Sequence, residues 1–241
     1  MVYAPSKTPQ ITVRKSSERG QANHGWLKSN HSFSFANYYD PNYQGFRHLL
    51  VINEDRIQGG SGFGTHPHRD MEIISYVIDG ALEHQDSMGN GSVIRPGDVQ
   101  IMSAGTGVTH SEYNPSQEDW GHFLQIWILP NQKGLHPGYQ QQYFSPESKQ
   151  NQLRLLVSRN GEQDSVVIHQ DAKLFASVLD PEVKLTYDFA PERYGWIQMV
   201  RGKLSVNGTV LATGDGAAIA HTKTLNLQAQ ESSEFLLFDL A

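Results

Sequence analysis

Two short stretches of this chain carry residue types and spacings that could do chemistry together. In GTHPHRD, His66 and His68 sit two apart, and in GVTHSEY His110 and Glu112 do the same. Successive side chains of an extended strand alternate faces, so each pair would project to one side of a sheet. Taken alone the His-x-His is weak, since 11 histidines among 241 residues give one such pair by chance about half the time. Two pairs on two strands weigh more. Three imidazoles and a carboxylate buried in an apolar β-core are costly unless something neutralises and bonds them, and a divalent cation does both. The alternative is four ordinary polar residues on solvent faces; we take His66, His68, His110 and Glu112 as a metal site. The other histidines lack a partner at ligand spacing, so surface or hydrogen-bonded roles are expected for them. His84, in LEHQDSMGN, is placed no nearer than the pocket rim.

The elements that must hold such a site read as short strands between turns. LLVI, EIISYVI, SVI, VQIMSA and HFLQIWIL alternate with GGSGFG, DG, RPGD and GTG, a rhythm that predicts an all-β sandwich or barrel. After Pro130 a polar stretch rich in Gln, Pro and Ser is the expected connection between two domains, and strands resume with LRLLVS, SVVIHQ, KLFASVL and VKLTYDF. We place a first domain over 10–135 and a second over 145–241, each near the usual domain size. The halves echo one another. SYVIDGAL and RPGDVQIMSAG resemble IQMVRGKL and ATGDGAAIAHT, which aligns Gly80 with Gly202 and Gly97-Asp98 with Gly214-Asp215. Counting from the matched glycines puts Asp188, Ala190, Leu227 and Ala229 where the first half has His66, His68, His110 and Glu112, so the second half is expected to lack the site.

Bulk composition narrows the function. The 19 Lys and Arg against 25 Asp and Glu give a formal charge of -6, which suits neither a phosphate backbone nor an anionic membrane. With no cysteine, disulfides, thiolate metal sites and cysteine nucleophiles are excluded, and any metal must rest on imidazole, carboxylate, amide or water. The first ten residues lack a cationic region followed by an apolar one, and the apolar runs are too short to span a bilayer, so a cytoplasmic protein is expected.

The stretches NHGWL, HSFSFANYYDPN, THPHRDMEIISYVIDGALEHQDSMGN and IMSAGTGVTHSEYNP resemble the pirin family within the cupins, over His24 to about Pro130. That resemblance implies two tandem cupin β-barrels of jelly-roll type. Against the general cupin pattern, Gly60, His66, His68 and Glu72 fit the first motif, with Gly80 one position late. In the second motif Gly97 opens, Ser103 replaces the usual proline, two extra residues precede His110, and Asn114 closes. Most cupins take the first motif's glutamate as a ligand, which would nominate Glu72; pirins take a carboxylate two residues after the second-motif histidine, which nominates Glu112. We follow the pirin assignment and leave Glu72 as a supporting or core-capping residue.

Resemblance to pirins implies a quercetin 2,3-dioxygenase-like enzyme that opens a flavonol between carbons 2 and 3 with loss of carbon monoxide, using a small aromatic substrate and dioxygen. The expected cofactor is one divalent transition metal, iron(II) first, with nickel, copper, manganese, cobalt or zinc as alternatives. Glu112 would be both ligand and catalytic base. Aromatic residues in HSFSFANYYDPNYQGF, among them Phe33, Phe35, Tyr38 and Tyr39, are candidates either for a flat pocket or for packing. A competing class, also carried by the resemblance, is a redox-sensitive regulator with a protein partner, for which the acidic balance and the lack of Lys/Arg runs give little help. A sugar isomerase or epimerase cupin would want a phosphate-binding loop or basic cluster, and neither is present.

Overall fold

The computed structural model describes residues 10–241, and among them strands dominate, with one short α-helix at Pro146–Lys149 and two single 3₁₀ turns. No helix among the described residues is long and apolar enough to cross a membrane. The strands form two seven-stranded and two four-stranded sheets. In the first half the large sheet runs, in spatial order, Gly138–Tyr143, Asp98–Ser103, Glu72–Asp79, Gly121–Ile128, Leu49–Ile57, Leu27–His31 and Gly20–Asn23. In the second it runs Gln10–Arg14, Gly216–Ala220, Tyr194–Arg201, Ser233–Leu240, Ala172–Leu179, Arg154–Ser158 and Val166–Val167. The small sheets match in the same way: Gly62–His68, Val108–Tyr113, Leu82–Asp86 and Gly91–Ile94 against Lys184–Asp188, Thr224–Ala229, Lys203–Val206 and Thr209–Ala212. One large and one small sheet make each barrel, so the architecture is two tandem cupin barrels built on one plan.

The glycines that aligned in sequence do the same work in both halves. Gly80 and Gly202 have φ of 73° and 79°, Gly97 and Gly214 of 99° and 79°, a left-handed region that residues with a Cβ avoid. Each therefore turns the chain from the large sheet into the small one, or back, at matching places.

Two features depart from the expected pattern. The polar stretch after Pro130 is more than a connection, since Gly138–Tyr143 pairs along Asp98–Ser103 as the edge of the first large sheet. Its counterpart in the second sheet, Gln10–Arg14 beside Gly216–Ala220, comes from the opposite end of the chain. GGSGFG, expected as a turn, is already strand from Gly62. The backbone of Glu112 lies so close there that any Cβ on Gly62 would collide with its carbonyl oxygen, which is why a glycine-rich run can be sheet.

Alternation sorts each strand into two cores. On Gly121–Ile128, Leu124, Ile126 and Ile128 join Ile52, Ile74, Ile101, Leu174, Trp196, Leu236 and Phe238 in a core between the two large sheets. Its edge is closed by Tyr76 donating to Glu234 at 2.5 Å and by the Arg201–Asp79 pair at 2.9 Å. Inside the second barrel one apolar core includes Phe175, Ile197, Leu204, Leu227 and Leu237. The first barrel holds two smaller clusters, one around Leu27, Ile57, Val77 and Phe123, the other around Ile73, Met102 and Val108. Polar side chains and a cavity separate them.

Because Leu236 belongs to the core shared by both halves, Leu236→Ala is expected to cost about 2–5 kcal/mol. Urea unfolding followed by circular dichroism should show this as a lower midpoint with one transition retained.

Candidate metal centre

The strands Gly62–His68 and Val108–Tyr113 are antiparallel neighbours, with His66 opposite His110 and His68 opposite Val108. The register then shifts by one, so that Glu112 faces Phe63. This bulge places Gly64 and Thr65 opposite the single residue Ser111, and it turns Phe63 inward where an unbroken ladder would have turned Gly64. His66, His68 and His110 offer ligand atoms that all lie within 4.8 Å of one another. A second group at that spacing is His84, His110 and Glu112. His110 is thus common to both, and Glu112 lines the same cavity as His66 and His68.

Hydrogen bonds fix which ring nitrogens are bare. His66 Nδ1 lies 2.8 Å from the Gly64 carbonyl, which can only accept, so Nδ1 carries the proton and Nε2 of the neutral ring presents its lone pair. On the other side, His84 Nε2 lies 3.2 Å from Asp86 Oδ2. Asp86 is held ionised despite burial, its carboxyl lowered by hydrogen bonds from the Asn90 side chain, from His84 and from the backbone of Asn90 and Met88. It therefore takes a proton bond from His84 Nε2, leaving His84 Nδ1 as an acceptor. His110 Nδ1, at 3.4 Å from it, must donate, and His110 Nε2 is bare in turn. The two bare nitrogens, His66 Nε2 and His110 Nε2, stand 3.0 Å apart. Lone pairs so placed repel unless a cation lies between them, which is the role of histidine ligands braced from behind.

Electrostatics point the same way. Burial, then the neighbouring His66, lowers His68 to about 4. Burial, then His66, His68 and His84, lowers His110 to about 3, so both rings are neutral and free to ligate at ordinary pH. Glu112, fully buried, is pushed up to about 7 by desolvation, against weak help from Gln125 and Ser75. Only Oε1 is held, by Gln125 Nε2 at 3.4 Å and Ser75 Oγ at 3.5 Å. A buried carboxyl with so little compensation, beside three imidazoles, fits a divalent metal ion.

Several sequence expectations are redrawn. Glu72 faces away from this cluster, into the seam between the halves, where it accepts from Ser103 Oγ at 2.9 Å and from the His169 backbone N–H at 3.3 Å; of the two roles left open, it caps core. His84, placed at the rim, is wholly buried behind His110. The signal was present, because His84 and Asp86 alternate onto one strand face as the ligand pairs do. Asn114 closes the loop beyond the site, donating to the Ile57 and Asp119 carbonyls. The aromatic run splits: Phe35 lines the cavity, Phe33 packs on Trp196 in the inter-sheet core, and Tyr39 is exposed. In the second barrel, counting led to Leu227 and Ala229, both buried inward, but missed the partner strand. The residue opposite Leu227 is Leu185, and Tyr187 follows, whereas Asp188 ends the strand and Ala190 lies beyond it. No group of metal-ligand type occurs among the described residues of that barrel.

Two tandem barrels with three histidines at the mouth of the first define a bicupin with a metal-type centre in one domain. The Pirin family profile matches residues 12–128, and the quercetinase C-terminal cupin domain matches 155–240. The chain is 50% identical over 231 residues to the quercetin 2,3-dioxygenase of Escherichia coli K12, covering 95% of this chain and 98% of that one. It is 41% identical to a pirin-like protein of Caulobacter vibrioides over 92% of this chain and 96% of that one. The crystal structure of the bacterial pirin YhhW from Escherichia coli in complex with nickel(II) superposes with a TM-score of 0.92, at 48% identity, over 96% and 99% of the two chains. The chain belongs to the pirin family.

Bracing by His84 predicts that His84→Leu weakens divalent-metal affinity about 10- to 100-fold while the fold persists. Titration against a chromophoric chelator measures the first and circular dichroism the second.

Proposed function

We propose that this protein is a metal-dependent dioxygenase of quercetin 2,3-dioxygenase type, holding one divalent ion on His66, His68, His110 and Glu112. The observation that supports this most is the pair of bare imidazole nitrogens 3.0 Å apart at a cavity of about 230 Å³ walled by Phe35, Phe63 and Trp127. Three imidazoles and one carboxylate would hold a divalent transition-metal ion. Iron(II) and nickel(II) both suit such a donor set. The ion would supply positive charge to stabilise a deprotonated substrate hydroxyl.

The chain's own residues would do the rest. His66 and His110, braced by the Gly64 carbonyl and by His84–Asp86, set the direction of the donor atoms. Glu112 is suited to act as base: Oε1 is anchored by Ser75 and Gln125, and Oε2 is left to take the proton of the flavonol 3-hydroxyl. Trp127, edge-on to His68 at 4.9 Å and to Phe35 at 5.4 Å, gives a flat apolar wall against which a planar ring can lie. We further propose a division of labour in which the first barrel, whose sheet Gly138–Tyr143 completes, carries the chemistry, and the second barrel, whose sheet Gln10–Arg14 completes, supports it. A cytoplasmic location, with no nucleic acid or membrane partner, belongs to the same reading.

Dioxygen uptake with quercetin by the metal-loaded protein tests the activity. Glu112→Ala and His66→Ala should each lower it about 100-fold or more, the second with loss of bound metal; no uptake with any divalent metal would overturn the reading. Chelation should abolish turnover yet leave thermal unfolding cooperative, because the inter-sheet and second-barrel cores contain none of the ligands.

A further inference from the structure

One row of residues crosses the large sheet of the first barrel, each opposite the next in the strand register: Gln141, Gln100, Ser75, Gln125, Asn53 and His31. The same row in the second barrel reads Val13, Ala217, Ile197, Leu237, Phe175 and Leu155. One sheet design therefore carries six polar residues in one copy and six apolar residues in the other. The fold does not require polarity at these places, so its use must be sought in what the first barrel holds.

At one end of the row the cavity beside the metal centre is walled by His31, Asn53 and the neighbouring Asp55 and Ser29. His31, Asn53 and Asp55 are each no more than 4% exposed. His31 Nδ1, Asn53 Oδ1 and Asp55 Oδ1 have no hydrogen-bond partner, and across the same cavity neither has Trp127 Nε1. His31 Nε2 is 2.8 Å from Ser29 Oγ, and burial pushes the Asp55 carboxyl up to about 7, opposed in part by Ser29. The wall thus presents an imidazole nitrogen, an amide oxygen and a carboxyl oxygen without partners, faced by one indole donor without an acceptor. Buried groups left so are costly unless a ligand completes them.

We infer that His31, Asn53, Asp55 and Trp127 form a recognition wall for a planar aromatic bearing several hydroxyls. Asn53 Oδ1 accepts from, and the Asp55 carboxyl pairs with, hydroxyls remote from the reacting ring, and Trp127 donates to a ring or carbonyl oxygen. This deepens the reading of the cavity given above and rests on it for the kind of ligand. It makes selection among flavonols depend on hydroxyl number: a flavonol carrying only its 3-hydroxyl satisfies the metal centre and leaves the wall unpaired.

The test compares quercetin with 3-hydroxyflavone in metal-loaded wild type, Asn53→Leu and Asp55→Leu, reading equilibrium affinity by quenching of tryptophan fluorescence and turnover by dioxygen uptake. Each variant should weaken quercetin binding about tenfold or more and change 3-hydroxyflavone binding less than threefold. Each should also melt no lower than wild type, since an unpaired buried polar group has been removed and the second barrel holds Phe175 at the place matching Asn53. Equal loss for both flavonols, no loss for either, or no binding of quercetin to the wild type would overturn the inference. Wild-type binding without turnover would instead count against the dioxygenase and leave the wall standing. Turnover with both flavonols treated alike by the variants would do the reverse.

Discussion

The pairing of Gly62–His68 with Val108–Tyr113 is the constraint on which the rest of this molecule depends. It sets His66 against His110 across two strands, brings His68 alongside, and through a single bulge lets Phe63 rather than Gly64 stand beside Glu112. Gly62 makes the approach sterically possible, and Asp86 through His84 decides which nitrogen of His110 is bare. The centre is therefore assembled by backbone register and tautomer together. A slip of one residue would point the histidines of one strand outward, and a wrong tautomer would present N–H groups where donor atoms are needed.

Stability has been moved elsewhere to make this tolerable. The first barrel cannot close over one apolar core, since a polar row and a cavity divide its hydrophobic residues into two small clusters. The second barrel, built on the same plan, fills the same row with Phe175, Leu237, Ile197 and their neighbours, and the two large sheets share a further core between them. Gln10–Arg14 and Gly138–Tyr143 tie the arrangement at its edges, where an unpaired strand would otherwise be exposed. Two copies of one design have thus diverged into a part that carries unsatisfied polar groups and a part that offsets their cost.

Much of this was legible in the residues. Alternation gave the strands, Gly80, Gly97, Gly202 and Gly214 gave the repeat, and the two spaced pairs gave the ligand candidates. Counting from glycines found Leu227 and Ala229 but missed Leu185 and Tyr187, because loop lengths between a matched glycine and a partner strand differ between the halves. Gly138–Tyr143 is polar and shows no apolar period on which strand recognition relies, and Gln10–Arg14, though Ile11 and Val13 alternate with polar residues, is short and lies far along the chain from the sheet it completes.

By itself the sequence determined the types of donor atom, the absence of thiolate chemistry, the spacing that aims each ligand pair to one face, and the family to which the chain belongs. These are local properties, set by composition and by the two-residue period of an extended chain. Only the tertiary structure decided that His84 backs His110, that Glu72 turns away into the seam, and that His31, Asn53, Asp55 and Trp127 meet around one cavity. Those residues lie tens of positions apart along the chain. What unites them is lateral register across a sheet, and register is fixed by the sum of many strand pairings that no single stretch of sequence contains.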